Sequence, residues 1–454
     1  MQRSELNNEL RIDAQYFQKR YLFEDACRRH FKSAPLGSLA FITDGPHGYH
    51  EVDPASNIAM LTAKCAKNWF AARDEADTIS LNTHSSNQRS SLETGDLILS
   101  TRGTVGACAF VTARTLPANI DQDVARIAIN QSAGFCAKYV LAYLNSSFGQ
   151  DWILRNSTGM VQQGLSLAKV RDLPIPLLRN ELRENVAQVI DMAYMVLEDS
   201  RQSLADADSS LLVALGLSTW KPPEALTYVR SSRDAFEAGR MDAEYFAPRV
   251  ANLLALLGRD GLALNDVAPA RHERFTPTGT DRCHYIEIGG LETDGTAQAE
   301  AMFQQEAPTR ATQHVRSDDV ITSTVRPIRR LSAVIAPEQD GYVCSSGFVV
   351  LRPHLIRSEV LLTYLRLPLV CELMDLHTSA TMYPAISESD LLALPIPNIQ
   401  ASTQETITKA VQSARQAKQR ATQLLEAAKR AVEIAIETDE DTALAYLNQA
   451  SERP

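Results

Sequence analysis

The chain has 454 residues, 44% of them hydrophobic and 22% charged, with a net charge of −10. That is the balance of an ordinary water-soluble protein of two or three domains. No apolar run is long enough to span a bilayer, the N-terminal stretch MQRSELNNELRID lacks the apolar core of a signal peptide, and the seven cysteines are scattered with no C-x-x-C pair. Free thiols in a reducing cytoplasm are therefore expected, rather than a disulfide frame or a zinc site.

The charge is uneven. Residues 1–180 carry +2, 181–240 carry −4, 241–400 carry −7 and 401–454 carry −1. A nucleic-acid-binding face would thus be a local patch on an acidic body.

In chain order, Arg11-Ile-Asp-Ala-Gln-Tyr-Phe opens the sequence and recurs as Arg240-Met-Asp-Ala-Glu-Tyr-Phe. Leu36, Leu39 and Ala40 recur as Leu264, Val267 and Ala268. Residues 36–130 hold short apolar runs bounded by turn residues, such as Asp96-Leu-Ile-Leu-Ser and Arg126-Ile-Ala-Ile, which read as strands. Gly95-Asp-Leu-Ile-Leu-Ser-Thr-Arg recurs as Asp318-Asp-Val-Ile-Thr-Ser-Thr-Val-Arg. Lys138 to Leu154 and its counterpart Glu359 to Leu376 have helical spacing. Ser/Thr-rich segments then lead into Leu173-Pro-Ile-Pro and Leu394-Pro-Ile-Pro. The offset between copies drifts from 229 through 228 and 223 to 221, as loop insertions and deletions produce. A repeat this long means a doubled domain, not a solenoid.

Each Leu-Pro-Ile-Pro ends one pattern and precedes another. The prolines act as a stop and fix the exit of a long helix. Its seam in the first copy is Leu182, Val186, Val189, Ala193, Val196, Ser200, Ser203, Ala207 and Leu211. In the second copy the seam is Ile407, Ala410, Ala414, Ala417, Ala421, Leu424, Ala428, Ala431 and Ala435. Alternating steps of three and four over about four heptads indicate a coiled coil, and the alanines permit close approach. The expected fold is α+β: two tandem domains of mixed sheet plus helices, each followed by a long helix, the helices packing as an antiparallel coiled coil with pseudo-twofold symmetry. The expected boundaries are 1–177 and 240–398 for the domains, 178–215 and 399–437 for the helices, 216–239 for a linker and 438–454 for a tail.

The sequence holds no phosphate loop, no Asn/Asp-Pro-Pro-aromatic stretch for an adenine methyltransferase, and no H-E-x-x-H or Cys/His metal pattern. Asp44-Gly-Pro-His47-Gly resembles a catalytic loop, but a histidine with no evident base or metal partner reads as a turn residue, and with His50 it would make only half of a metal site. A doubled domain without paired chemistry points to binding. Three loops per copy are rich in the side chains that contact phosphates and base edges. The first copy offers Thr43, His47, Thr101, Arg102, Gln162 and Gln163; the second offers Arg271, Arg274, Thr324, Arg326, Arg329, Arg330 and Tyr383.

The paired Arg-x-Asp-Ala-x-Tyr-Phe segments, the two Leu-Pro-Ile-Pro segments with their lead-ins, and Ser323-Thr-Val-Arg-Pro with Ser345-Ser-Gly-Phe-Val-Val-Leu-Arg-Pro carry a resemblance. The chain resembles the specificity (S) subunits of type I restriction–modification systems, from about residue 11 to 437. That resemblance implies a non-catalytic reader of double-stranded DNA with two target-recognition domains, one for each half of a bipartite site. The helices would set their spacing and dock methyltransferase subunits, two in number, which bring S-adenosylmethionine and the adenine chemistry. This chain would hold no cofactor and act in the cytoplasm. A motor-nuclease subunit would join for restriction. The competing readings are a scaffold that reads no sequence and a nuclease of unrecognised type.

Overall fold

The computed structural model describes residues 16–452 apart from 29, 49, 131–133, 160–163, 224, 293 and 380–383. The elements run α1 (Lys19–Arg28), β1 (Ser33–Pro35), α2 (Leu36–Leu39), β2 (Ala40–Asp44), β3 (Ile58–Leu61), β4 (Asp77–Ile79), α3 (Leu81–Ser86), β5 (Leu97–Ser100), β6 (Cys108–Phe110), β7 (Ala118–Ile120), β8 (Val124–Ile129), α4 (Ala137–Asn145), α5 (Ser147–Asn156), α6 (Leu167–Asp172), β9 (Pro174–Pro176) and α7 (Asn180–Leu215). They continue as α8 (Ser232–Ala238), α9 (Pro248–Leu257), α10 (Leu264–Val267), β10 (Arg282–Ile286), β11 (Glu300–Phe303), β12 (Ala311–His314), β13 (Val320–Ser323), β14 (Ser332–Val334), β15 (Val343–Ser345), β16 (Phe348–Leu351), α11 (Ser358–Arg366), α12 (Pro368–Leu376), β17 (Thr378–Ser379), β18 (Ala385–Ile386), α13 (Glu388–Leu392), α14 (Ala401–Glu437) and α15 (Glu440–Glu452). Two compact units emerge. The first is Met1–Val196 with Gln419–Pro454, and the second is Leu197–Lys418. The cuts fall inside α7 and α14.

In the first unit β2-β8-β5-β6 form an antiparallel sheet, and β4-β3-β7 form a second one in which β3 and β7 run parallel. In the second unit β14-β13-β16 and β11-β10-β15-β12 repeat that order, again with one parallel pair, β10–β15. The fourth strand of the first sheet survives there as a single bridge, Ala270 to Leu351. The central strands β5 (Leu-Ile-Leu-Ser) and β13 (Val-Ile-Thr-Ser) are buried at every position. They are covered on both faces, which is why they read as unbroken runs rather than alternations. Beside them α4 and α11 bury six consecutive residues each, Tyr139 to Leu144 and Val360 to Leu365, as helices enclosed on all sides must.

The single helix expected over Lys138 to Leu154 is two. Ser146 lies between α4 and α5 and caps α5, its Oγ accepting from Gly149 N at 3.3 Å. The counterpart splits at Leu367, where Pro368 takes the first position of α12. Helical periodicity runs through both breaks because the two helices of each pair share one buried side. Within the stretch expected as a linker, Ser231 and Asp234 form a capping box that starts α8.

The repeated Leu-Pro-Ile-Pro returns to the start of its own unit, as strand β9 in the first and through the single bridge of Ala263 with Pro395 in the second. In the first unit β9 pairs antiparallel with β1, Ala34 opposite Ile175. Leu36 N donates to Leu173 O at 2.8 Å and Leu177 N donates to Lys32 O at 2.8 Å. In the second, Leu264 N donates to Leu394 O at 2.9 Å and Ile396 N to Leu262 O at 3.0 Å. Positions 173, 175 and 177 face the partner strand, so Pro174 and Pro176 stand at the outward positions where no amide is needed. Prolines there seal the outer edge against further pairing.

The long helices are continuous, 36 residues in α7 and 37 in α14, and they pack together. In the second unit Ala207, Leu211 and Leu215 share one core with Ile407 and Val411, and Ser200 Oγ donates to Ala414 O at 2.7 Å. In the first unit the buried face of α7 is Leu182, Val186, Val189 and Ala193, and that of α14 is Ala421, Leu424, Ala428, Ala431 and Ala435. Arg179, just before α7, pairs with Glu440 at 3.2 Å. No helix among the described residues is long and apolar enough to cross a membrane.

Candidate nucleic-acid interface

The loops singled out in the sequence meet within each unit. In the first, Leu165 N donates to Thr101 O at 2.9 Å and Arg102 bridges to Gly164, so the loop after β5 lies beside the chain that leads into α6. The turn at 121–123 joins the third loop to these: Gly45 N donates to Asp121 O at 3.1 Å, and Thr101 N to Asp123 O at 2.8 Å. In the second unit Ile386 N donates to Thr324 O at 3.0 Å, Arg326 N to Pro384 O at 2.8 Å, and Val325 bridges to Ala385. His272, from the third loop, approaches Glu388 at the head of α13 at 3.3 Å.

Several candidate residues are part of the frame. Thr101 is buried, its Oγ1 donating to Asp123 O at 3.0 Å; Thr324 Oγ1 donates to Gly347 O, also at 3.0 Å. These two contacts are one staple made twice, tying the loop to the turn before β8 or β16. The serine before each threonine caps the same loop, Ser100 Oγ donating to Arg102 O and Ser323 Oγ to Val325 O. Thr43 is buried in β2 with its hydroxyl on Asp44 O. Arg271 grips the buried Asp319 with two bonds, Nε–Oδ2 at 2.7 Å and Nη2–Oδ1 at 3.0 Å.

That last pair has a counterpart which sequence reasoning missed. Asp96 matches Asp319 at the offset of 223, and it binds Arg126 Nε at 2.7 Å. Each aspartate also accepts the backbone N–H three residues before it, Glu93 N or Arg316 N, at 2.8 Å. Burial pushes the Asp96 carboxyl up against the pull of Arg126. The arginines come from neighbouring strands. Arg126 stands in β8 opposite Thr43, whereas Arg271 occupies the position that matches Thr43 and donates its amide to Val350 O. The signal was the aspartate inside the doubled Gly95-Asp and Asp318-Asp segments.

Other candidates are exposed. His47 side chain is 68% exposed, with Nε2 3.5 Å from Asp44 Oδ2, a partner the sequence did not suggest. Arg89 reaches the same carboxylate at 3.1 Å. Gly45 makes this loop possible, because a Cβ there would lie 1.9 Å from Ile120 O. Arg102 is exposed and pairs with Asp123 at 3.2 Å. Arg274, Arg326 and Arg329 are exposed, while Arg330 is half-buried, its Nη2 3.5 Å from Asp208 and its Nε donating to Arg366 O. Gln162, Gln163 and Tyr383 lie outside the described residues. No group of three or more potential metal ligands gathers among the described residues.

No protein-family model matches the chain, and a search of curated proteins gives no significant match. Among solved structures it is similar to the S subunit of a type I restriction–modification system from M. genitalium, at 12% identity and a TM-score of 0.36, over 92% of this chain and 96% of that one. It is similar to a chain from a structural study of assembly and conformational transition of the type I R-M system, at 17% identity and a TM-score of 0.27, over 92% and 97%. It is also similar to the HsdS subunit from Thermoanaerobacter tengcongensis, at 15% identity and a TM-score of 0.27, over 92% and 96%.

Proposed function

We propose that this chain is the DNA-specificity subunit of a type I restriction–modification complex. Each unit is a target-recognition domain for one half of a bipartite site. The two long helices form an antiparallel coiled coil that spaces the half-sites and docks methyltransferase subunits, with a motor-nuclease subunit joining for restriction. S-adenosylmethionine and the methyl transfer belong to the partner. The observation that supports this reading is the doubled frame, which holds the same loops with the same staples while their tips differ. Two like modules on one chain suit two half-sites on one duplex, as in dimeric DNA readers, and let the halves of the site differ.

The test is methyl transfer from labelled S-adenosylmethionine to duplex DNA, with and without candidate methyltransferase subunits, followed by methylome sequencing. Transfer is expected only in the complex and at one bipartite motif. Transfer by this chain alone, or binding that does not vary with sequence at matched salt, would overturn the proposal. A heptad inserted into both helices, after Ala193 and after Ala421, adds roughly 10 Å. The unread gap should then widen by about 3 base pairs while both half-sites stay the same.

A further inference from the structure

The turn that follows β13 is built differently from its twin after β5. In the first unit the loop runs Arg102-Gly-Thr-Val-Gly106, and its left-handed positions are glycines, Gly103 (φ 72°) and Gly106 (φ 93°). In the second unit the loop is Val325-Arg-Pro-Ile-Arg-Arg330, and the matching positions are Arg326 (φ 51°) and Arg330 (φ 59°). They account for two of the three non-glycine residues with positive φ among the described residues. L-residues avoid this region, and the residue before a proline avoids helical backbone too. Glycine would relieve both positions at no steric cost. Such backbone strain marks a site where the side chains are needed.

The same turn is pinned at each end. Arg326 N donates to Pro384 O at 2.8 Å, Pro327 is buried, and Arg330 is held by Arg366 O and Asp208. Two short bonds close it, Arg329 N to Arg326 O at 3.0 Å and Arg330 N to Pro327 O at 2.9 Å. Its outer surface is Arg326, Ile328 and Arg329, with Ile328 51% exposed. An exposed isoleucine flanked in the turn by two exposed arginines suits a polyanion with an apolar interior, and the arginines supply local positive charge that the segment, at net −7, otherwise lacks. Duplex DNA is such a surface, with phosphates at the groove walls and base edges on the floor.

Resting on the DNA-reading function proposed above, we infer that this turn is the groove-entering tip of the second unit: Ile328 makes an apolar contact with the bases, Arg326 and Arg329 hold the flanking phosphates, and Arg330 is a positioning residue that fixes the turn. Val105 stands at the matching place in the first unit and is half-buried, so the two tips would enter to different depths.

The experiment uses the complex with its methyltransferase subunits and two duplexes, one carrying the methylated motif and one with that motif scrambled. Affinities are read by fluorescence anisotropy at several salt concentrations. Wild type should prefer the motif; no preference would overturn the DNA-reading function itself, before any variant is made. Ile328→Ala, at an exposed position, should leave melting and subunit assembly unchanged. It should cost about tenfold in affinity for the motif and none for the scrambled duplex, and relax only the half-site read by the second unit. Arg329→Ala should weaken both duplexes alike and reduce the salt slope by about one. Unchanged discrimination in Ile328→Ala, equal loss on both duplexes, or a loss of subunit assembly with discrimination intact would each overturn the assignment.

Discussion

The two units agree in their frames and disagree at their tips. Strand order, the threonine staples at Thr101 and Thr324, the aspartates at 96 and 319 and the returning Leu-Pro-Ile-Pro segments occur twice. The source of the guanidinium that meets the buried aspartate and the chemistry of the turn after the central strand do not. The shared features are those that close backbone and bury charge, so any unit of this design needs them. The guanidinium can come from either strand because the frame asks only for the charge, whereas the turn after the central strand is where, on the proposed function, side chains would serve a target.

The largest effect should come from breaking the shared lock. Asp319→Ala takes from the half-buried Arg271 its two-bond partner, leaving it only Glu273 at 3.8 Å, and removes the acceptor for Arg316 N, at a cost of about 2–3 kcal/mol. Urea titration of Asp319→Ala and Asp96→Ala should show losses of similar size. If the frame tolerates either strand as donor, Arg271→Thr combined with Val350→Arg should recover about half of the loss seen for Arg271→Thr alone.

A second contrast lies in the opening helices. Glu24 of α1 matches Leu253 of α9 at the offset of 229, and both are buried. Burial, with a hydrogen bond to Asp151, pushes the Glu24 carboxyl up to about 8 from an ordinary value of 4.5. The folded unit therefore holds this proton where the unfolded chain releases it. Stability contributed by the protonated form is full below about 4.5 and is lost as pH rises toward 8. Glu24→Leu, which copies the second unit, should flatten that dependence by on the order of 2 kcal/mol in unfolding measured from pH 5 to 8. An unchanged pH profile would remove Glu24 as its source.

Smaller still, Thr101→Val and Thr324→Val each remove one staple and should cost about 1 kcal/mol. Unequal losses would mean that the staples are alike in geometry but not in role. The smallest effect has the opposite sign. Arg326→Gly gives the second turn the left-handed glycine of the first; strain relief, less the extra chain entropy of glycine, should raise stability by roughly 0.5–1 kcal/mol, seen as a higher melting temperature, while weakening DNA binding.

Much of the frame was legible in the sequence. The buried central strands are continuous apolar runs, the helix seams are spaced by threes and fours, and the drifting offset marks the doubling. The site was legible as loops but not as residues. Thr43, Thr101, Thr324 and Arg271 have the side chains of DNA readers, yet the fold turns them onto its own carbonyls and carboxylates, because a polar side chain serves a buried acceptor as well as a base edge. The strain at Arg326 and Arg330 has no sequence signal, since φ is fixed by the closure of the turn. Ile328 was passed over because an apolar residue in a loop looks like core until its exposure is known.

The division of the chain also sets an order of assembly. The second unit is one uninterrupted segment, Leu197–Lys418, whereas the first needs Gln419–Pro454 to complete it. On a ribosome the usual sequence of events is reversed. The first unit emerges early but waits for roughly 220 further residues, about 10–40 s at ordinary elongation rates. During that interval the buried face of α7 at Leu182, Val186 and Val189 lacks its alanine-rich neighbour. A premature stop near residue 418 would therefore spare the unit made last in sequence and cripple the one made first.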